Sequence, residues 1–214
     1  VGHSPAGDLQ EFLEQPTSRR RRAIDILFSA SLLLVLSPLL ILVAALVKIT
    51  TPGPVIFRQL RAGQGGRPFP FYKFRSMYMD AEERRVALEA QNEKDGPIFK
   101  IKKDPRITPI GRILRRSSID ELPQLINVLV GDMTLIGPRP PRMDEVDFYE
   151  PWQRQRLELK GGLTCIWQVS GRSEVCFNDW VRMDLQYVRR RSTWFDITLL
   201  ARTLVAVASG KGAY

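Results

Sequence analysis

"RRRRAIDILFSASLLLVLSPLLILVAALVKITTPGP", residues 19–54, is the stretch whose reading decides the architecture. From Ala23 to Val47 it is apolar, broken only by Asp25, three serines and Pro38. At about 1.5 Å per residue, such a helix is long enough for a hydrocarbon core of about 30 Å. A secretory signal is a poor fit, because the apolar part exceeds the usual span of about 7–15 residues and no small-residue cleavage site follows. Basic residues stand at both ends, Arg19 to Arg22 before it and Lys48, Arg58 and Arg61 after it. Positive charge marks the cytoplasmic side, and here both flanks ask for it. At the midpoint Ser37-Pro38 interrupts the helix, since proline lacks the N–H for the i→i−4 bond and clashes with the preceding turn. Two readings remain open on these grounds. A helix broken at Ser37 and Pro38 can dip into one leaflet and return, or an ordinary kinked helix can cross. A buried globular helix is disfavoured, because 25 residues apolar on every side need lipid around them.

Outward from this segment, composition sets bounds. The chain has 214 residues, 44% hydrophobic and 26% charged, the makeup of one folded domain with appendages. It carries 32 Lys and Arg against 23 Asp and Glu, a net charge of +9, which favours an anionic partner. The only histidine is His3, in a polar tail over residues 1–18, so histidine-based catalysis and metal binding are excluded as working readings. Cys165 and Cys176 do not have the spacing of a zinc site and read as thiols in a reducing compartment. The chain starts at Val1, which leaves room for a longer natural protein.

The remainder, residues 51–214, reads as the soluble part. "VIFRQL" and "FPFYKFRSM" are two strands joined through Gly63, Gly65 and Gly66. No helix opens after these glycines, so a hairpin turn is favoured over a phosphate loop. Residues 80–95 read as a charged amphipathic helix, and a short helix follows near Ile110 to Arg116. Near the C-terminus, Trp194, Phe195, Ile197, Leu200, Leu204 and Val207 fall roughly on one helical face, suited to a core or to a membrane interface.

"SSIDELPQLINVLVGDMTLIGPRPP", residues 117–141, holds the chemistry. Ser118-x-x-Glu121 matches a capping box, which predicts a helix entered near Asp120 with Pro123 in its first turn. The same place suits a reaction, because a helix N-terminus stabilises carboxylates and phosphates. An ionised aspartate can attack phosphorus, and an adjacent carboxylate can hold Mg²⁺ together with substrate phosphates. Lys73, Arg75, Arg115 and Arg139 are the nearby cations, and Pro138 and Pro140 stiffen the backbone around Arg139.

"KFRSM" (73–77), "DPRITPIGRILRRSSIDELPQLINVLVGDMTLIGPRPP" (104–141) and "GLTCIWQVSGR" (162–172) follow the Ser-Pro-broken helix in order. Together they resemble the bacterial sugar transferases, the monotopic polyprenyl-phosphate hexose-1-phosphate transferases, in the branch that initiates exopolysaccharide. The resemblance implies transfer of a sugar-1-phosphate from a UDP-sugar to undecaprenyl phosphate with release of UMP. It implies Asp120 as nucleophile, Glu121 with Asp120 as ligands of Mg²⁺, and Lys73, Arg115 and Arg139 as phosphate-binding cations, with Arg75 in the same motif as Lys73. It also implies a membrane re-entrant helix over residues 19–50 and a catalytic domain on the cytoplasmic face of the bacterial inner membrane. One departure stands out: Lys160-Gly161-Gly162 occupies the place of the family's usual Lys-Pro-Gly, which predicts a looser loop. The expected fold class is α+β, mostly helical, with a short β-hairpin and interfacial amphipathic helices.

Two rival readings belong to other classes. A membrane-tethered nucleic-acid-binding protein would use the arginines at 19–22 and 189–191, but no helix-turn-helix or RNA-type aromatic motif accompanies them. No nucleic-acid partner is therefore expected, and membrane lipids answer for the basic flanks. A non-catalytic membrane scaffold would not need the intact Asp-Glu pair. The identity of the sugar and the oligomeric state are not legible in the sequence.

Overall fold

A computed structural model describes residues 18–93, 95–171 and 175–209. The polar tail with His3, and Arg172 of the Gly162 to Arg172 motif, lie outside the described residues. The apolar stretch forms two helices, α1 (Arg19–Val35) and α2 (Ser37–Thr50), bent by 62°. The bend has a local cause. Pro38 has no N–H to offer the carbonyl of Leu34, four residues back, and the Ser37 hydroxyl takes that carbonyl instead at 2.8 Å. The Ser-Pro pair thus breaks the helix and satisfies the acceptor that the break exposes. Among the described residues no single helix is long and apolar enough to cross a membrane; the bent pair passes by length and composition only together, as a broken span or a re-entrant loop. Leu27, Leu34, Val35, Ile41 and Ile49 are exposed along its flanks.

The inner face of the pair is polar at one end and apolar at the other. Asp25, which the sequence shows only as an interruption of the apolar run, is 5% exposed. It accepts from the Leu135 N–H at 3.1 Å and from the Thr134 hydroxyl at 2.8 Å. Arg22 donates to the carbonyls of Val128 and Leu129 at 2.6 and 2.7 Å, the last turn of α5 (Gln124–Val130), where a cation meets unpaired carbonyls. Arg21 pairs with Asp196 at 2.7 Å. Two of the seven arginines that invited a nucleic-acid reading are therefore spent on docking α1. Asp25→Leu is expected to leave the Leu135 N–H and the Thr134 hydroxyl unsatisfied, costing about 2–3 kcal/mol. The thermal unfolding midpoint in detergent should fall by roughly 4–12 °C, and Asp25→Asn, which keeps an acceptor, by less.

Strands β1 (Ile56–Ala62) and β2 (Pro68–Phe74) pair antiparallel with Phe57 opposite Lys73 and Arg61 opposite Phe69. Gly65 and Gly66 take φ of 65° and 73° in the connecting turn, with open space where a side chain would stand, so the glycines serve the reversal. Helix α5 lies along β2, its Asn127 amide accepting from the Tyr72 N–H at 3.2 Å and donating to the Pro70 carbonyl at 2.7 Å. A second, parallel pair joins β3 (Thr134–Ile136) and β4 (Gly162–Thr164). Phe69, Phe71, Val128, Met133, Leu135, Ile136, Tyr187 and Leu199 form the main core. Val43 and Val47 of α2 pack on Phe74 and Leu114, so half of the bent pair belongs to the domain's own packing.

Two expectations are corrected. The charged helix predicted over residues 80–95 is α3 (Ala81–Ala87), followed only by a 3-10 turn at Glu89–Gln91. The C-terminal apolar face is divided between core and surface. In α10 (Thr193–Ser209), Phe195 and Leu200 pack against the core while Trp194, Ile197 and Leu204 are exposed. The Lys160-Gly161-Gly162 loop is pinned, not loose: Gly161 O accepts from Thr134 N and Gly162 N donates to Pro138 O, both at 2.8 Å. A Cβ on Gly161 would lie 2.4 Å from Pro140 Cγ, so the glycine lets the loop close on the segment that carries Arg139.

Candidate active site

Helix α4 (Pro109–Arg116) begins at Thr108, whose hydroxyl accepts from the Gly111 N–H at 2.9 Å. Gly111 lets the helix seat directly on the β2 exit, since a Cβ there would stand 2.0 Å from the Ser76 carbonyl. The chain then reverses. Ser117 Oγ donates back to the Ile113 carbonyl at 2.9 Å, and Ser118 adopts φ 57° and ψ 16°, a left-handed conformation costing about 1–2 kcal/mol outside glycine. Asp120 and Glu121 follow in a 3-10 turn, Ile119–Glu121, ahead of α5. The capping-box expectation is thereby corrected. A capping residue needs extended backbone, Ser118 does not have it, and neither serine caps α5.

The two carboxylates of this turn live differently. Glu121 Oε1 accepts from Lys73 Nζ at 2.8 Å, and Arg139 grips both Glu121 oxygens, Nη1 to Oε2 at 3.0 Å and Nη2 to Oε1. Burial alone would raise its pKa, but Arg139 and Lys73 outweigh it and hold Glu121 well below the usual carboxylate range. Asp120 is the more buried of the two, yet among the described residues no N–H or O–H donates to its carboxylate. Burial pushes it up to about 6, with Lys73 opposing and the Glu121 charge adding to the rise. One acid is therefore a fixed anion, and its neighbour is a basic, unbonded carboxylate.

Cations surround the pair. Lys73, on β2, lies over the Phe71 ring, which the Arg61 and Arg139 guanidinium groups also approach, at 5.3 and 5.9 Å. Burial lowers the Lys73 pKa, and Glu121 opposes. Arg115 is anchored by its Nε to Ser76 Oγ at 2.9 Å; burial lowers its pKa, and the Asp120 charge opposes. Arg75 does not join them. It is buried with its Nη2 donating to the Thr51 carbonyl at 2.7 Å and hydroxyl at 2.8 Å, where it ties the end of β2 to the end of α2.

Arg61 is the residue that sequence reasoning missed, having counted it only as flanking charge. Its guanidinium reaches Pro140 O at 3.1 Å, and burial lowers its pKa to about 10, with Glu145 opposing. The signal was the strand period. Phe57 pairs with Lys73, and counting by twos along β1 puts Arg61 on the Lys73 face.

A cavity of about 1410 Å³ runs through the site. Asp120, Glu121, Lys73, Arg61, Arg115 and Arg139 line it together with Phe28, Leu32 and Leu36 of α1 and its break, and with Leu200 and Leu204 of α10. It joins a cation-rich centre to an apolar lining contributed in part by the bent helix pair.

Residues 17–210 match the family model described as bacterial sugar transferase. The chain belongs to the bacterial sugar transferase family. Relatives that match over nine-tenths of the chain include the undecaprenyl-phosphate galactose phosphotransferase of Salmonella typhimurium, 43% identical over 96% of this chain and 44% of that protein. The UDP-glucose:undecaprenyl-phosphate glucose-1-phosphate transferase of Escherichia coli is 39% identical over 91% of this chain and 41% of its own length. The exopolysaccharide production protein ExoY of Rhizobium meliloti is 37% identical over 91% of this chain and 88% of that protein. This sugar transferase chain thus spans less than half the length of the first two and most of the third.

Whether the residues of this sugar transferase suit a metal ion is decided by their lone pairs. Among the described residues no three His, Cys, Asp or Glu side chains converge, so no cage made wholly of protein is present. Mg²⁺ does not need one, because it is commonly held by one or two carboxylates, with waters and substrate phosphates completing the shell. The Asp120 carboxylate is unbonded, and of the four lone-pair positions on Glu121 the cations take three. The adjacent acids fit.

Proposed function

We propose that this chain transfers a sugar-1-phosphate from a UDP-sugar to undecaprenyl phosphate, through a phosphosugar carried on Asp120. The observation that carries the reading is the Asp120 carboxylate: buried, unbonded, basic for its type, and ringed by Lys73, Arg115 and Arg139. The donor diphosphate rests among these cations. An Asp120 oxygen attacks the β-phosphorus, a new O–P bond forms, the bridging P–O bond breaks, and UMP leaves with the electron pair. A phosphate oxygen of undecaprenyl phosphate then attacks the same phosphorus, and the Asp120 carboxylate departs unchanged. Both half-reactions use one cationic centre, giving ping-pong kinetics. Glu121 stays ionised throughout and aims Lys73 and Arg139 at the equatorial oxygens of the moving group. Asp120 and the free lone pair on Glu121 Oε2 would hold Mg²⁺, which supplies neutralisation of the diphosphate charge when bound. The bent helix pair keeps the nucleophile at headgroup depth, with the catalytic domain on the cytoplasmic face of the bacterial inner membrane. The product starts exopolysaccharide or another surface glycan.

The test is a panel of UDP-sugars supplied without lipid acceptor. Release of UMP equimolar with enzyme is expected, with an intact-mass increase of one sugar phosphate that disappears when undecaprenyl phosphate is added. Turnover with acceptor but no adduct with donor alone removes the covalent step. No UMP from any UDP-sugar under either condition removes the transfer reading.

A further inference from the structure

Behind the Pro138 to Pro140 segment, away from the dyad, lies a second charged pair that the mechanism leaves unused. Arg156, in the 3-10 turn Gln155–Glu158, is 4% exposed, and Asp184, on α9 (Phe177–Arg190), is 1% exposed. Arg156 Nη2 stands 2.6 Å from Asp184 Oδ2, and the same nitrogen donates to the main-chain carbonyl of Arg139 at 3.0 Å. The other guanidinium arm donates to the Tyr149 hydroxyl at 3.1 Å. Asp184 accepts no well-aligned hydrogen bond from a described residue, so Arg156 is its counter-charge and little else holds it.

We propose that the Arg156–Asp184 pair positions Arg139, gripping its main chain from behind so that its guanidinium meets Glu121 with both arms. The need arises from sequence. Pro138 and Pro140 carry no N–H, so this segment cannot be held through a run of its own donors. It is held through acceptors. Three successive carbonyls are each taken by a different element: Pro138 O by the Gly162 N–H of β4 at 2.8 Å, Arg139 O by Arg156, and Pro140 O by Arg61 of β1 at 3.1 Å. Arg156 is the charged member with a buried partner of its own. Stability does not require such a pair, since an apolar pair of similar volume in its place is often neutral or stabilising. An apolar pair, however, has no donor for the Arg139 carbonyl. Arg139 is thus fixed at both ends, its side chain by Glu121 and its carbonyl by Arg156, and the pair acts on the chemistry only through it.

The inference rests on the transfer reading for its kinetic assay and on hydrogen exchange for a readout independent of it. The variant is Arg156→Met with Asp184→Leu, which removes both charges without leaving either one buried alone. It is expected to fold with a thermal midpoint near that of wild type. Its kcat for UMP release with undecaprenyl phosphate should fall by about tenfold to a hundredfold, the scale on which a misplaced group acts, with a smaller change in donor KM. In an Arg139→Lys background the same double change should lower kcat little further. By mass spectrometry, the Gly162 amide, which donates to the Pro138 carbonyl of the same segment, should exchange at least about tenfold faster while the β1–β2 hairpin is unchanged. If the double variant does not fold, Arg156→Lys keeps the charge against Asp184, gives up the forked reach, and should show the same pattern. Wild-type kcat in the folded variant, a loss that adds in full to Arg139→Lys, or unchanged exchange at Gly162 overturns the proposal. A wild-type enzyme that releases no UMP refutes the transfer reading instead, and the exchange experiment still decides this one.

Discussion

Asp120→Asn is expected to lower UMP release at least about a thousandfold and, at pH 8, to make the protein more stable than wild type. The kinetic half follows from chemistry, since an amide neither attacks phosphorus usefully nor leaves as a carboxylate. The stability half follows from burial. Asp120 has a folded pKa pushed up to about 6, above its ordinary value, by burial with Glu121 adding to the rise, against the opposing pull of Lys73. An acid shifted in that direction favours the fold only while protonated. The benefit is complete below the unfolded value of about 3.9 and is lost as pH rises through about 6. At pH 8 the wild type therefore bears the whole cost of ionising a buried acid, on the order of 3 kcal/mol, and the asparagine variant bears none. Thermal unfolding in detergent should place the variant roughly 6–12 °C higher at pH 8, and little different at about pH 3.5. The same ionisation should appear in wild-type UMP release as a fall when pH drops through about 6. A variant that is less stable at pH 8, or a rate flat across that region, contradicts the assignment of the basic carboxylate to this position.

How much of this was legible before the structure depends on the range of the cause. The helix break was readable because Pro38 acts within one turn, and the Ser37 hydroxyl answers it at the adjacent position. The hairpin was readable because strand alternation and a glycine turn are local. The dyad's neighbours were only partly so. Lys73 and Arg75 look equivalent in sequence, but β2 ends at Phe74, the alternation stops, and Arg75 is carried back to Thr51. The serines before the dyad carry the letters of a capping box, but the motif needs an extended backbone and Ser118 is left-handed. Contacts across long stretches left no periodic trace. Arg22 meets Val128 across 106 positions, and Asp25 meets Leu135 across 110. Asp25 nevertheless gave one signal: an acid in an apolar helix needs a partner, and that partner was the domain itself.

Glu121→Gln, one residue from Asp120, should move stability in the opposite direction. Glu121 joins Lys73 Nζ to the two arms of Arg139, in a cluster only about a fifth exposed. An amide offers one oxygen where the carboxylate offered two, and turns an NH₂ group toward a cation. Breaking a buried pair from one side leaves uncompensated charge and costs about 3–5 kcal/mol, here toward the lower end because some water reaches the cluster. The thermal midpoint should fall by roughly 6–12 °C. Burial opposes ionisation of Glu121, but Arg139 and Lys73 overcome it, and its folded pKa lies below the ordinary value. Its stabilisation is therefore complete above the unfolded value of about 4.3 and is lost only as pH falls well below the usual carboxylate range. The deficit of the glutamine variant should accordingly stay constant from pH 6 to 9, where the advantage of Asp120→Asn still changes. Activity should fall at least about a hundredfold, because Lys73 and Arg139 lose the anion that aims them. Two isosteric amide substitutions at neighbouring acids, both largely shielded from water, would thus shift stability with opposite signs. Burial alone cannot produce that result, because it would favour the amide at both positions. The contrast instead isolates what distinguishes the two sites: cations bonded to Glu121, and an unbonded Asp120 kept basic enough to react.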